Sequence, residues 1–184
     1  MKEKGSIVTQ TLNSLKKRLE ENNNVIQVQN EEGHLFDAKC TFHPPASDEE
    51  ILDFESQTGF ILPPDYKAFL KKSNGCRLFD DVHYGGEIEL YSLQQIIDFN
   101  EHYDQYEGCY DIAYIYQDNI VINSRLISQN KENYLFWKGH IDQFEEAIPL
   151  KMNFELWFDR FVISQGTKFW SWSIYTAENY YKLS

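Results

Sequence analysis

Leu62-Pro63-Pro64-Asp65-Tyr66-Lys67-Ala68-Phe69-Leu70-Lys71-Lys72-Ser73-Asn74-Gly75 writes both ends of a helix in its own residues. Pro64 suits the first helical position, where its missing N–H has no partner to lose and its φ is already helical. Asp65 adds negative charge at the positive end of the helix dipole, and Lys71 and Lys72 add positive charge in the last turn. Tyr66, Phe69 and Leu70 fall at i, i+3 and i+4 and form one buried stripe. Gly75 is the expected left-handed residue that closes the helix. This patterning makes the stretch scaffold rather than site, with Asp65 and Glu55 acting through capping or internal polar contacts.

Upstream, Phe60-Ile61-Leu62 joins this helix to another. Ser47-Asp48-Glu49-Glu50 is a capping box, Ile51, Leu52, Phe54 and Glu55 follow, and Gly59 closes the turn. The two helices are expected to pack as a pair. Pro44-Pro45 breaks the strand before them. Val25 to Phe42 reads as a β-hairpin about Asn30-Glu31-Glu32-Gly33, with Phe36, Ala38, Cys40 and Phe42 on one face. Residues 6–22 read as an amphipathic helix on Val8, Leu12, Leu15 and Leu19, ended by Asn22-Asn23-Asn24.

Downstream of Gly75 the sequence predicts a loop with Asp80-Asp81 and Gly85-Gly86. A short strand, Glu87 to Tyr91, follows, and then a helix capped by Ser92 and carrying Leu93, Ile96 and Ile97. Glu101 to Asp111 reads as a polar loop. Ile112–Tyr116 and Ile120–Asn123 read as strands about a Gln117-Asp118-Asn119 turn, and Tyr134 to Trp137 as a further strand turning out at Lys138-Gly139. Asn153 caps a final helix on Phe154, Trp157, Phe158, Phe161 and Val162, ended by Gly166. The tail, with Phe169, Trp170, Trp172, Tyr175 and Tyr180-Tyr181, is too aromatic for disorder and is expected to fold back on the core.

The chain has 184 residues, enough to bury a core without disulfide staples. No apolar run approaches the roughly 20 residues of a membrane span, and Met1-Lys2-Glu3-Lys4-Gly5 has no apolar h-region behind it. Three cysteines, Cys40, Cys76 and Cys109, at wide spacing fit free thiols in a reducing cytosol. A cytoplasmic location is therefore expected.

The net charge of −12 is unevenly placed. From Leu78 to Ser124 there is no Lys or Arg. The same stretch holds ten acids: Asp80, Asp81, Glu87, Glu89, Asp98, Glu101, Asp104, Glu107, Asp111 and Asp118. It also holds seven of the twelve tyrosines, among them Tyr84, Tyr103 and Tyr106. This distribution argues against direct nucleic-acid or anionic-membrane binding and favours a basic partner, or else a solvated face that keeps the chain soluble.

Signatures of catalysis are missing. There is no nucleophile elbow, Gly85-Gly86 is not a phosphate loop, and Cys40-Thr41-Phe42-His43 has C-x-x-H spacing without a second pair. His83, His102 and Cys109 are the other metal-ligating types, with nothing to bring them together. No enzyme activity, cofactor or metal is expected.

The run Ile51-x-x-Phe54-Glu55, then Leu62-Pro63-x-Asp65-Tyr66-Lys67-x-Phe69-Leu70-x-x-x-Asn74-Gly75, closely resembles the signature of the SUKH superfamily, the Smi/Knr-like proteins named after fungal cell-wall assembly regulators. Leu90-Tyr91-Ser92-Leu93-x-x-Ile96, Asp118-Asn119-Ile120-Val121-Ile122 and Phe154-x-x-Trp157-Phe158-x-x-Phe161 continue the likeness, which covers about residues 43–166. Cys76 and Gln117 stand where the family often has glycine. The resemblance implies an α+β fold, a single domain of mainly antiparallel sheet packed with helices. The domain would comprise an N-terminal helix and hairpin extension (1–42), the family core (43–166) and the aromatic tail (167–184).

It also implies a non-enzymatic immunity protein that binds and neutralises a cognate polymorphic toxin, such as a nuclease. The alternative is a regulatory or scaffold module without a toxin partner, as in the fungal relatives. Joined to the charge distribution, the resemblance points to Asp80, Asp81, Glu87, Glu89, Asp98, Glu101, Tyr103, Asp104, Tyr106 and Glu107 as the surface that meets a basic toxin.

Overall fold

A computed structural model describes residues 3–101, 108–174, 176 and 178–180, without the side chains of residues 100 and 101. Among the described residues, eight strands form one antiparallel sheet in which each strand pairs with its neighbours in sequence. They are β1 (Ile26–Gln29), β2 (Leu35–Phe42), β3 (Cys76–Asp81), β4 (Ile88–Leu90), β5 (Cys109–Ile115), β6 (Asp118–Asn123), β7 (Leu135–Gly139) and β8 (Ile148–Pro149). The helices are α1 (Ser6–Glu20), α2 (Asp48–Thr58), α3 (Pro64–Leu70), α4 (Leu93–Glu101), α5 (Ser124–Ser128) and α6 (Phe154–Ile163). This is the expected α+β single domain. Helices are inserted after β2, β4 and β6, so the remaining connections are hairpins that share the opposite end of the sheet.

The core lies where α1, α3 and α6 meet the sheet. Val8, Leu12, Leu15 and Leu19 give α1 its buried stripe, as their spacing requires. Tyr66 and Phe69 of α3 pack against Phe154 at ring-centroid distances of 4.8 and 5.3 Å, and Phe69 meets Phe158 at 5.4 Å. The expected pairing of α3 with α2 is thus secondary. Its apolar stripe faces α1 and α6, and α2 is tied to it through Glu55, which accepts from the Leu62 N–H (2.9 Å) and pairs with Lys67 (2.7 Å). The α2 capping box is present, with Ser47 and Glu50 exchanging hydrogen bonds and Gly59 left-handed at the C-terminus.

Several expectations are corrected. The opening helix stops at Leu70 with Lys71 as its cap, so Gly75 does not close it. Gly75 (φ +86°) instead leads the chain into β3, against the backbone of Leu90–Ser92. The predicted loop beyond it is strand as far as Asp81. Its alternation is hidden by a bulge, where Phe79 takes a φ of +53° and its N–H donates to the Cys40 sulfur (3.4 Å). The β5–β6 turn is made by Tyr116 and Gln117, both at positive φ, so Asp118 and Asn119 are buried strand residues rather than turn. Of the predicted loop Glu101 to Asp111, Cys109–Asp111 is strand and 102–107 lie outside the described residues. Helix α5 and strand β8 had no sequence signal beyond the Asn123 side chain, which accepts from the Arg125 and Leu126 N–H groups.

The tail packs on this frame. Trp170 meets Trp157 and Phe161 at 6.2 and 6.1 Å, and Lys168 pairs with Asp118 (3.2 Å). Trp172 and Tyr180 donate to Glu31 and Glu32 in the β1–β2 turn.

Burial sets a pH dependence. It pushes the Cys40 thiol up to about 11 and Cys109 up to about 12, and raises the Tyr66, Tyr110 and Tyr134 phenols. The native state therefore holds protons that the unfolded chain releases. Stability from these groups is complete below about pH 9 and is lost as pH rises through the folded values. Urea unfolding at pH 8 and pH 10.5 should show a marked fall at the higher pH, with tyrosine ionisation accompanying unfolding. Equal midpoints would contradict these burials.

Candidate functional site

The described part of the acidic segment does not form one continuous face. Asp80 is 5% exposed and held by Arg77 through two bonds, Nε to Oδ2 at 2.9 Å and a terminal nitrogen to Oδ1 at 3.2 Å. The same guanidinium donates to the Gly86 carbonyl (2.6 Å) and lies 3.6 Å from Glu89. Asp80, chiefly through its hydrogen bond, and Glu89 push the Arg77 pKa up. Glu89 also accepts from the Gln95 amide (2.7 Å), which ties α4 to β4. Asp81 is half-buried, and its Oδ1 accepts from the His83 and Tyr84 N–H groups (2.7 and 3.1 Å). Glu87 is exposed beside β4. Asp98 is exposed on α4 and accepts from Gln94 (2.7 Å). Glu101, Tyr103, Asp104, Tyr106 and Glu107 lie outside the described side chains.

The segment is also less negative in space than in sequence. Cross-strand neighbours Arg77, Glu89, Tyr114, Asn119 and Lys138 form a polar row over β3 to β7. Beside it, Asp111 accepts from the Asn119 amide (2.7 Å) and faces Lys138 (3.8 Å), while His140 Nδ1 meets Asn119 Oδ1 (2.9 Å). Burial raises the Asp111 pKa, and Lys138 acts against that rise. Asp118 has Lys168 and the Trp170 indole N–H (3.3 Å). Arg77, Lys138 and Lys168, none of them inside residues 78–124, thus offset Asp80, Asp111 and Asp118. Among the described residues, what remains turned to solvent is Glu87 with the exposed Tyr84 at the hairpin end, and Asp98 on a helix that leaves the other end of β4.

Sequence reasoning missed the neighbours that topology supplies. The β7–β8 connection brings exposed Ile141, Asp142, Glu145 and Glu146 to the end of the sheet that also carries Tyr84 and Glu87. The available signal was hairpin parity: in a sequential antiparallel sheet every second connection falls at the same end. As for metal-ligating types, no group of three or more His, Cys, Asp or Glu is arranged for an ion among the described residues. Nor is any described helix long and apolar enough to cross a membrane.

Asp65 and Glu155 form a second buried polar assembly. Asp65, 2% exposed, accepts from the Tyr134 hydroxyl and from the Glu155 N–H (3.0 Å), so a carboxylate from α3 caps α6. Glu155 in turn accepts from the Gly5 and Ile7 N–H groups (3.0 and 3.3 Å) at the start of α1. Both carboxylates face helix N-termini inside the fold, which accounts for them as structure.

A model of the SMI1 / KNR4 family (SUKH-1) matches residues 45–160. The uncharacterized protein YnaB of Bacillus subtilis (strain 168) is 42% identical over 147 residues, 80% of this chain and 96% of that protein. The uncharacterized protein YobM of the same organism is 32% identical over 188 residues, 96% of this chain and 98% of that protein.

Proposed function

The chain belongs to the SMI1 / KNR4 family (SUKH-1), and from that membership we propose that it is a non-enzymatic immunity protein, acting in the cytoplasm, which binds and neutralises a cognate toxin. The observation that carries the reading is the charge: −12 overall, with no Lys or Arg from Leu78 to Ser124. Such a field repels nucleic acid and draws in a basic protein, raising association rates by about 10–1000-fold. A nuclease fits this chemistry, because the groove that holds its substrate's phosphates is cationic and an acidic surface with tyrosines can fill it.

Co-expression with the toxin encoded beside its gene is the test. Cells carrying both should survive induction that kills cells carrying the toxin alone. Cells that die as readily with the chain as without it would remove the immunity reading for that pair and leave the regulatory module.

A further inference from the structure

Three hairpin tips present apolar side chains to solvent at one end of the sheet. Tyr84 in the β3–β4 loop is 92% exposed, Tyr116 in the β5–β6 turn 36% and Ile141 after β7 90%. Neighbouring hairpins lie two strands apart, about 10 Å, so the three form a row about 20 Å long. Exposed apolar groups scattered singly are ordinary, so the exposure alone says little, and what sets this end apart is how Tyr84 is held.

The loop under Tyr84 is held in place. The Asp81 N–H donates to the Gly85 carbonyl (3.0 Å) and the Gly85 N–H returns to Asp81 (2.9 Å). The Val82 N–H donates to Asp37 on β2 (3.0 Å), and Asp81 Oδ1 takes the His83 and Tyr84 N–H groups. Every backbone N–H from Asp81 to Gly85 therefore has a partner, and Arg77 pins the Gly86 carbonyl. The Tyr84 ring, 92% exposed, has the His83 ring edge-on at 6.3 Å. A fixed loop that holds out a bare tyrosine has already met the ordering cost that binding would otherwise impose. Tyr in such a place is a hot-spot residue type.

We propose that the hairpin end is the docking face, with Tyr84 as its anchor, and that it takes a protein presenting an apolar pocket rimmed by lysine or arginine. The proposal rests on the binding reading above and moves its contact away from α4. Charge selects the partner. Glu87 flanks Tyr84, Asp142, Glu145 and Glu146 follow Ile141, and Lys138 and Lys168 are engaged with Asp111 and Asp118.

Titration of the purified chain with the purified toxin encoded beside its gene tests this. Tyr84→Ala is expected to weaken binding at least about 30-fold. Glu87→Lys should slow association and flatten its salt dependence, and Asp98→Lys should leave Kd within about threefold. The thermal midpoint of Tyr84→Ala should match wild type, since the side chain is bare, which separates lost contact from lost fold. Wild-type binding with an unchanged Kd for Tyr84→Ala overturns the docking face and leaves the immunity reading standing. No binding by wild type overturns both.

Discussion

Asp65→Ala should lower folding stability by about 3–5 kcal/mol and the thermal midpoint by roughly 10 °C. Asp65 is almost fully buried, and its carboxylate takes the Tyr134 hydroxyl, the Glu155 N–H and the Tyr66 N–H (3.0 Å). Alanine would strand three buried donors at once, in α3, in α6 and just before β7, and leave the first turn of α6 without its acceptor. The damage travels further, because Glu155 on that turn holds the start of α1 through Gly5 and Ile7. Asp65→Asn keeps one acceptor for Tyr134 and turns an amide toward the Glu155 N–H, so an intermediate loss of about 1–2 kcal/mol is expected. Urea unfolding monitored by tryptophan fluorescence reads both. If Asp65→Ala lies within 1 kcal/mol of wild type, this carboxylate does not join α1, α3 and α6 as described.

Gly75→Ala should destabilise by roughly 3 kcal/mol or more. Gly75 has a φ of +86°, and a Cβ there would lie 2.7 Å from the Ser92 N and 2.8 Å from the Leu90 O. Both are backbone atoms, which cannot swing aside as a side chain can. Next to it, Asn74 Oδ1 accepts from the Leu93 N–H (2.9 Å), so displacing the chain here also disturbs the start of α4. Gly59→Ala provides the comparison. Gly59 is equally left-handed (φ +71°), but its Cβ would meet nothing within 4 Å, so only the conformational penalty of about 1 kcal/mol applies. Equal losses at the two positions would mean that the close passage of residues 75 and 90–92 is wrong.

The elements with strong local chemistry were legible in the sequence. The stripes of α1 and α6, the α2 capping box and the β1–β2 hairpin each follow from spacing a few residues long. The misreadings fall where distant contacts override local signals. Gly75 looks like a helix cap and is instead required by the backbone of Leu90–Ser92, which only the fold brings near. Cys76–Asp81 hides its strand because the bulge at Phe79 breaks the alternation and places Leu78, Phe79 and Asp80 all in buried positions. Asp118 and Asn119 look like turn residues, yet the two left-handed residues before them make the turn, and Lys168, Asp111 and His140 satisfy their side chains.

The same limit applied to the candidate surface. Ten acids in a stretch that holds no Lys or Arg of its own read as one negative face. In space Arg77, Lys138 and Lys168 come to three of them from outside the segment, and the sheet separates Glu87 from Asp98. Charge counted along a chain measures the long-range field well, because steering sums over the whole molecule. It locates a contact poorly, because contact depends on which carboxylates have no internal partner.

The proposed function turns on binding to a basic partner. The most direct measurement is the Kd of the purified chain and the purified toxin encoded beside its gene, taken at about 50 mM and about 500 mM salt. The predicted result is a stable complex that associates more slowly and binds more weakly at the higher salt, as exposed charges are screened beyond a few ångströms. A complex with the same rate and affinity at both, or no complex at the lower salt, would contradict it.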